Sequence, residues 1–247
     1  MFISLLSLLL LTAGPGYGQI YENEDDDFAP REKAIGFGLQ MTNFGFGLDM
    51  HYWQKWRDKW EMSYNFELTS MKDPREVRIE SAFADQGGNS YVFDKRHYGY
   101  AMGLTFGIHR VLLPLTSFSK LSFRGGLAVG PVFGIEIPYY IEYINPAPTP
   151  ANPTLIEHFD YDRHARSFIV GQADYFEGWG EMNWVPGLRV NLYGTLNLAS
   201  NALYVRALHM GLRGDFFTRP IELMDSQPDN AVFLGAYFGL MLGSAWN

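Results

Sequence analysis

The sequence predicts an all-β protein, an antiparallel, up-and-down transmembrane β-barrel of about eight strands with long outer loops. Three observations predict it. Apolar residues recur with a period of two over segments of roughly nine or more residues, the length that a tilted membrane strand requires. The face opposite the apolar one is rich in Gly, Ala and Ser, as the crowded interior of a narrow barrel demands. Aromatic residues gather at segment ends, as in Tyr52-Trp53, Trp56, Trp60, Tyr139-Tyr140, Trp179, Trp184, Phe216-Phe217 and Trp246, in the manner of the girdles at two membrane interfaces. A soluble barrel or sandwich, the alternative, also alternates, but with strands of about five or six residues.

The chain opens with an almost unbroken apolar run from Met1 to Thr12, then Ala13-Gly14-Pro15-Gly16-Tyr17-Gly18 and Gln19. A short apolar core ahead of a small-x-small site reads as a cleavable signal peptide over residues 1–18, cleaved before Gln19. Its one atypical feature is that no Lys or Arg precedes the apolar run. The run is too short to cross a bilayer as a helix, which takes about 20 apolar residues. Residues 19–33 carry Tyr21-Glu22-Asn23-Glu24-Asp25-Asp26-Asp27 without apolar period and read as an acidic periplasmic tail. The barrel then occupies residues 34–247.

The alternation is clearest from His97 to His109. Tyr98, Tyr100, Met102, Leu104, Phe106 and Ile108 fall on one face, and Gly99, Ala101, Gly103, Thr105, Gly107 and His109 on the other. The same pattern predicts strands at Ala34–Thr42, Gly45–Trp53, Trp60–Met71, His97–Arg110, Leu121–Ile141, Val185–Leu198, Leu203–Phe217 and Ala231–Ser244. The fifth is longer than a membrane needs and is expected to project outside. Pro131 within it and Pro138 near its end predict a bulge or a weakened register, because proline removes a ladder donor. Short to moderate connections (54–59, 111–120, 199–202) alternate with long ones (72–96, 142–184, 218–230), as short periplasmic turns and long outer loops do. The hairpin at Asn43-Phe44 is the exception, a short turn on the outer side. An even strand count puts both ends in the periplasm. The closing strand, with a penultimate aromatic at Trp246, looks like the assembly signal of outer-membrane barrels.

Composition narrows the function. The chain has no cysteine, which excludes disulfides, thiolate metal sites and a lipidated N-terminal cysteine. A net charge of −8 makes it a poor partner for nucleic acid, whose affinity comes mainly from phosphate neutralisation.

Ser90-Tyr91-Val92-Phe93-Asp94-Lys95, Pro138-Tyr139-Tyr140-Ile141-Glu142, Tyr175-Phe176-Glu177-Gly178-Trp179, Trp184-Val185-Pro186-Gly187-Leu188 and Gly243-Ser244-Ala245-Trp246-Asn247, in that order and spacing, resemble a family of small, uncharacterised outer-membrane β-barrel proteins of Bacteroidota. The resemblance covers most of the mature chain and implies an outer-membrane barrel, with an accessory role beside a larger envelope complex. It supplies no catalytic residues.

Candidate chemistry falls in three places. On the lumen phase lie Asp49, Glu61, Glu67, Glu136 and Asp215 with Arg124, Arg189 and Arg213, a mixed-charge set expected to pair and fill the interior. His51, His109 and His209 share that phase and read as hydrogen-bonded interior histidines. Ser63 and Ser122 share it too, but no His-x-Ser pair marks a nucleophile and its base. In the longest loop, His158, Asp160, Asp162 and His164 would share a face if extended and are candidate metal ligands; the alternative is a solvated strand extension whose acids pair with Arg163 and Arg166. The same loop holds a proline-rich stretch, Asn145–Pro153, expected to be extended. It also holds Tyr161, Phe168, Tyr175, Phe176 and Trp179, a candidate contact surface unless these rings pack on one another. No cofactor is implied. The expected function is a non-enzymatic structural or interaction barrel with a filled lumen, working through its outer loops on a partner protein or surface glycan. Its expected partners are outer-membrane lipid, the barrel-assembly machinery during biogenesis and an envelope protein complex. A lipid-modifying enzyme and a narrow pore are the alternatives.

Overall fold

The structure, a computed structural model, describes residues 32–57, 59–114, 121–149, 152–198, 204–226 and 228–247. The expected signal peptide and nearly all of the acidic tail lie outside the described residues. Within them the chain forms β1 (Lys33–Thr42), β2 (Gly45–Arg57), β3 (Trp60–Met71), β4 (Arg78–Ile79), β5 (Tyr91–Val92), β6 (His97–Leu113) and β7 (Ser122–Pro138). There follow β8 (Tyr140–Thr149), β9 (Asn152–His158), β10 (Ile169–Gln172), β11 (Asn183–Asn197), β12 (Tyr204–Ile221) and β13 (Asn230–Trp246).

Among the described residues, eight strands close into a ring in the order β1-β13-β12-β11-β7-β6-β3-β2. Every neighbouring pair is antiparallel. The ring closes where the first strand meets the last, from Lys33↔Trp246 to Thr42↔Tyr237, without a register shift. All eight predicted strands are present, each within a few residues of its expected bounds.

Period two explains the burial. Phe37, Leu39, Leu48, Leu104, Leu127, Leu192, Leu212, Leu234 and Leu240 stand exposed around the outside, while Gln40, Asp49, Glu67, Asn191, Arg189 and Asp215 are buried within. A soluble protein rarely exposes so much contiguous apolar surface. A closed ring satisfies every backbone group internally, which is what hydrocarbon requires of a spanning segment. The barrel is a transmembrane one. At the rim with short turns, Tyr52, Trp56, Trp60, Tyr64 and Trp246 form an aromatic girdle; Tyr52 lies 6.2 Å from Tyr64 and 6.4 Å from Trp246. Arg57 and Arg110 sit over Trp56 and Trp60 there. Trp53 and Phe217, assigned to the girdles by the sequence pattern, lie instead on the lumen phase and are buried.

The fifth segment departs from expectation. β7 leaves the ring at Pro138, and the chain continues as β8 in a separate three-stranded sheet of order β10-β8-β9. The described parts of the proline-rich stretch, residues 145–149 and 152–153, are extended as expected, ending β8 and opening β9. Pro131 produces no bulge. The β6–β7 register is the same on either side of it, but the ladder skips from Gly103↔Val132 to Phe106↔Val129. The early hairpin is tight: Thr42 pairs with Gly45 around a two-residue turn. Gly45 has φ 147°, and an added Cβ would collide with Ser70, so only glycine fits.

Candidate functional site: the layered lumen and the outer cap

Seen along its axis, the lumen is filled in layers. At the end carrying the long loops, Met71, Ala101, Val132, Val185, Phe217, Ile221 and Phe233 form an apolar plug. Leu223 and Met224 complete it from the β12–β13 loop, and Phe44 packs on it from the first hairpin, edge-on to Phe233 at 5.6 Å.

Below the plug lies a charged layer. Arg189 is fully buried and donates from Nε and Nη2 to Asp215 (2.7 Å each) and from Nη1 to Glu67 (2.7 Å). Arg213 Nη2 lies 3.1 Å from Glu67 and donates to Gln40 (2.9 Å), with its guanidinium 4.6 Å from the Tyr237 ring centre. Asn191 donates to Glu67. Two cations face two anions, so the layer neutralises itself. Its register follows from the strands: Arg189 and Asp215 are direct cross-strand partners. Glu136, nearer the outer rim, is held by both terminal nitrogens of Arg219 (2.6 and 3.0 Å).

Toward the short-turn rim, His109 Nε2 donates to Glu61 (2.6 Å), and Arg124 Nε lies 3.0 Å from the same oxygen. The Tyr193 hydroxyl joins His109 Nδ1 (3.2 Å) to Ser63 Oγ (2.9 Å). Ser63 thus reaches histidine only through tyrosine, inside a packed interior. This is not the direct nucleophile–base contact of a catalytic triad. Trp53, Val205, Ala207 and Met241 pack together at a similar depth. The eight predicted lumen charges are all inside, but they form separate groups rather than one network. Gln40, Asn191 and Arg219 also take part; neutral amides carry no signal in a charge pattern, and Arg219 lies in the part of β12 that runs beyond the predicted strand end at Phe217.

Asp49 stands apart. Its Oδ2 lies 3.1 Å from His51 Nε2 and 3.5 Å from His209 Nδ1. His209 Nε2 is within 3.3 Å of the Tyr237 hydroxyl. The expectation of hydrogen-bonded interior histidines holds for His109 but not for His51, neither of whose ring nitrogens has a hydrogen-bond partner.

The long loops build a cap with its own core: Tyr91, Tyr139, Ile141, Phe159 and Ile169 are buried together. Asp94, at φ 70°, receives the backbone N–H of Ser226 on its carboxylate and that of Asp225 on its carbonyl. Asp225 in turn accepts from the Tyr161 N–H (2.7 Å), which ties the three long loops together. Lys95, between β5 and β6, is buried against Glu76 (2.7 Å); burial holds its ammonium below the ordinary lysine value, with Glu76 opposing that shift. A cleft of about 310 Å³ opens beside this pair, lined by Arg78, Tyr98, Tyr100 and Gln172 among others.

The four loop ligand candidates do not converge. β9 ends at His158, and the chain then turns instead of extending: Asp160 accepts from the N–H groups of Asp162 and Arg163, and its own N–H donates to His164 Nδ1. His158 bonds the Arg96 carbonyl, and His164 bonds Glu157, which also pairs with Arg163. Nor do the five loop aromatics share one surface. Tyr161 packs on Phe93, and Phe168 on Tyr143. Tyr175, Phe176 and Trp179 stack on one another at 5.4–6.0 Å, yet Phe176 stays 69% exposed. Tyr175 bonds the hydroxyl of Tyr100, which belongs to the outward, lipid-facing phase of β6.

No family model matches the chain, and no curated protein matches it in sequence. Among solved structures, the chain is similar to neisserial surface protein A, with a TM-score of 0.39 and 6% identity over 87% of this chain and 95% of that one. It is also similar to a major outer membrane protein from Thermus thermophilus, with a TM-score of 0.36 and 9% identity over 87% of this chain and 98% of that one. The fold assignment rests on the strand pairing itself.

Proposed function

We propose that the protein is a non-enzymatic outer-membrane barrel that serves as a closed anchor for its outer cap, through which it contacts an envelope partner. One observation carries this reading. The lumen is filled from rim to rim by apolar and self-neutralised layers, whereas the loops form an ordered cap with a core of its own. An eight-stranded ring leaves room only for side chains, so conduction is not its purpose. Ordering long loops is entropically unfavourable; the buried core of the cap offsets that cost, and an ordered outer cap suits the presentation of a fixed contact surface. The cleft beside Lys95 and the exposed Ile156 of β9 are surfaces such a partner would meet. The Tyr175–Phe176–Trp179 stack, lying on the lipid-facing side of β6, suits the headgroup level of the membrane better than a protein contact.

The test is co-purification of the full chain from detergent-solubilised membranes after cross-linking. A partner recovered with the native chain, and lost when residues 139–182 are replaced by a short Gly/Ser link that leaves the barrel folded, supports the reading. Recovery of the barrel alone, or steady conductance across a planar bilayer, overturns it.

A further inference from the structure

Among the described residues, each lumen carboxylate pairs with arginine, except one. Glu67 has Arg189 and Arg213, Asp215 has Arg189, Glu61 has Arg124 and Glu136 has Arg219. Among the described residues, Asp49 has neither Arg nor Lys; it faces His51 and His209. A buried carboxylate needs a compensating positive charge. Here the three groups converge: Asp49 Oδ2, His51 Nε2 and His209 Nδ1 are all within 4.8 Å of one another, and all three residues are buried.

The strands explain how they meet. β2 and β12 are not neighbours in the ring; β1 and β13 lie between them. At this level those strands present glycine to the lumen: Gly36 opposes His51, Gly38 opposes Asp49, and Gly239 opposes His209. A Cβ on Gly38 would strike the Asp49 carboxylate. The missing side chains leave the room in which ligands from β2 and β12 come together.

The geometry favours a cation over a shared proton. His51 Nε2 is 3.1 Å from the carboxylate but is not aligned for a hydrogen bond to it, and His51 Nδ1 also has no partner. A proton on Nε2 would not point at Asp49. A metal ion is met along the ring nitrogen's lone pair but sits off the nitrogen–oxygen line, so the 3.1 Å contact need not be linear. Zinc bonds to His nitrogen and carboxylate oxygen are about 2.0–2.1 Å, so ligand atoms in a tetrahedral site lie about 3.3 Å apart. The two carboxylate–imidazole edges, 3.1 and 3.5 Å, bracket that value. The Tyr237 hydroxyl at His209 Nε2 is the outer partner that fixes a ligating imidazole, leaving Nδ1 for the ion.

We propose that Asp49, His51 and His209 form a buried site for one divalent first-row transition cation, Zn²⁺ foremost, which bridges β2 and β12 across the lumen. Two imidazoles and a carboxylate are ligands suited to that class. The site lies between the charged layer and the Trp53 cluster, so the ion is structural, taken up as the barrel closes. The site is independent of what the outer cap binds.

The test uses the full chain refolded in detergent with Zn²⁺ or Co²⁺, freed of loose metal by a weak chelator and assayed by elemental analysis. One equivalent is expected, with the visible bands of low-symmetry cobalt(II) and a higher thermal midpoint than in a refold with strong chelator. His51→Gln and His209→Gln, checked for folding by their unheated electrophoretic mobility, should each lose at least 90% of the metal. The paired loop variant His158→Ala/His164→Ala should keep all of it. Should the lumen variants not fold, X-ray absorption of the native zinc form decides, with two imidazoles and a carboxylate expected in the shell. Native protein that holds no metal and melts alike with and without Zn²⁺ overturns the proposal in favour of a proton shared at Asp49. Metal lost with the loop variant, or retained without His51 and His209, also overturns it.

Discussion

Arg189 shows most directly what a filled lumen implies. Fully buried, it satisfies Glu67 and Asp215 together. Arg189→Met should therefore strand the buried Asp215 carboxylate, leave Glu67 to Arg213 alone, and destabilise the barrel by about 3–5 kcal/mol. Adding Asp215→Asn should restore most of that loss, since Glu67 keeps Arg213; both effects are readable by urea unfolding of the barrel in bilayers. Gly38→Ala should push the Asp49 carboxylate aside at a cost of about 1–3 kcal/mol, seen as a lower midpoint in the same assay. Asp73, outside the strands, is gripped by the Arg75 guanidinium at 2.6–2.7 Å, which holds its carboxyl below the usual value of 3.8. Its folded-state value is lowered, so its contribution is complete above that pH and is lost as the pH falls through the lower, folded value. Asp73→Asn removes it at neutral pH. Because Arg75 is exposed to solvent, the loss should be small, read as a few-fold faster tryptic cleavage after Arg75. Which charged residues point inward was legible in the sequence, because strand side chains alternate; Trp53 and Phe217 were not, since an aromatic near a strand end reads as girdle whichever face it is on. Which inward residues meet was not. Asp49 and His209 come together across two intervening strands, and no local spacing encodes that.

The elements tell a similar story. Strand existence, phase and the alternation of short and long connections were readable, because membrane strands are long and the ring forces an antiparallel order. The break after Pro138 was not, since an apolar alternating run reads the same whether it stays in the ring or turns into β8. The expected extension of His158–His164 failed for a local reason: Asp160 captures the N–H groups of the following residues and folds the chain into a turn. Pro131 leaves β6 and β7 in register but with two missing pairs. Pro131→Val returns a donor to that ladder and should gain about 0.5–1.5 kcal/mol, with slower hydrogen exchange at Leu104, the residue opposite it. An unchanged exchange rate there would mean that the gap is not due to proline.

Across the whole molecule, barrel and cap are separable. β7 and β11 pair directly up to Glu136↔Asn183, so the chain between them can be shortened without opening the ring. The variant lacking residues 139–182 should keep the mobility difference between heated and unheated samples that marks a folded barrel. The seam between β1 and β13 has a consequence for timing. Its ten cross-strand pairs join the two ends of the ring, so they can form only after the last strand has emerged. Contacts so distant along the chain are slow to form. Until they do, β1 and β13 are both open edges beside an apolar exterior, the features that drive aggregation. The ring stays open until β13 is available to β1, so closing this seam completes the barrel.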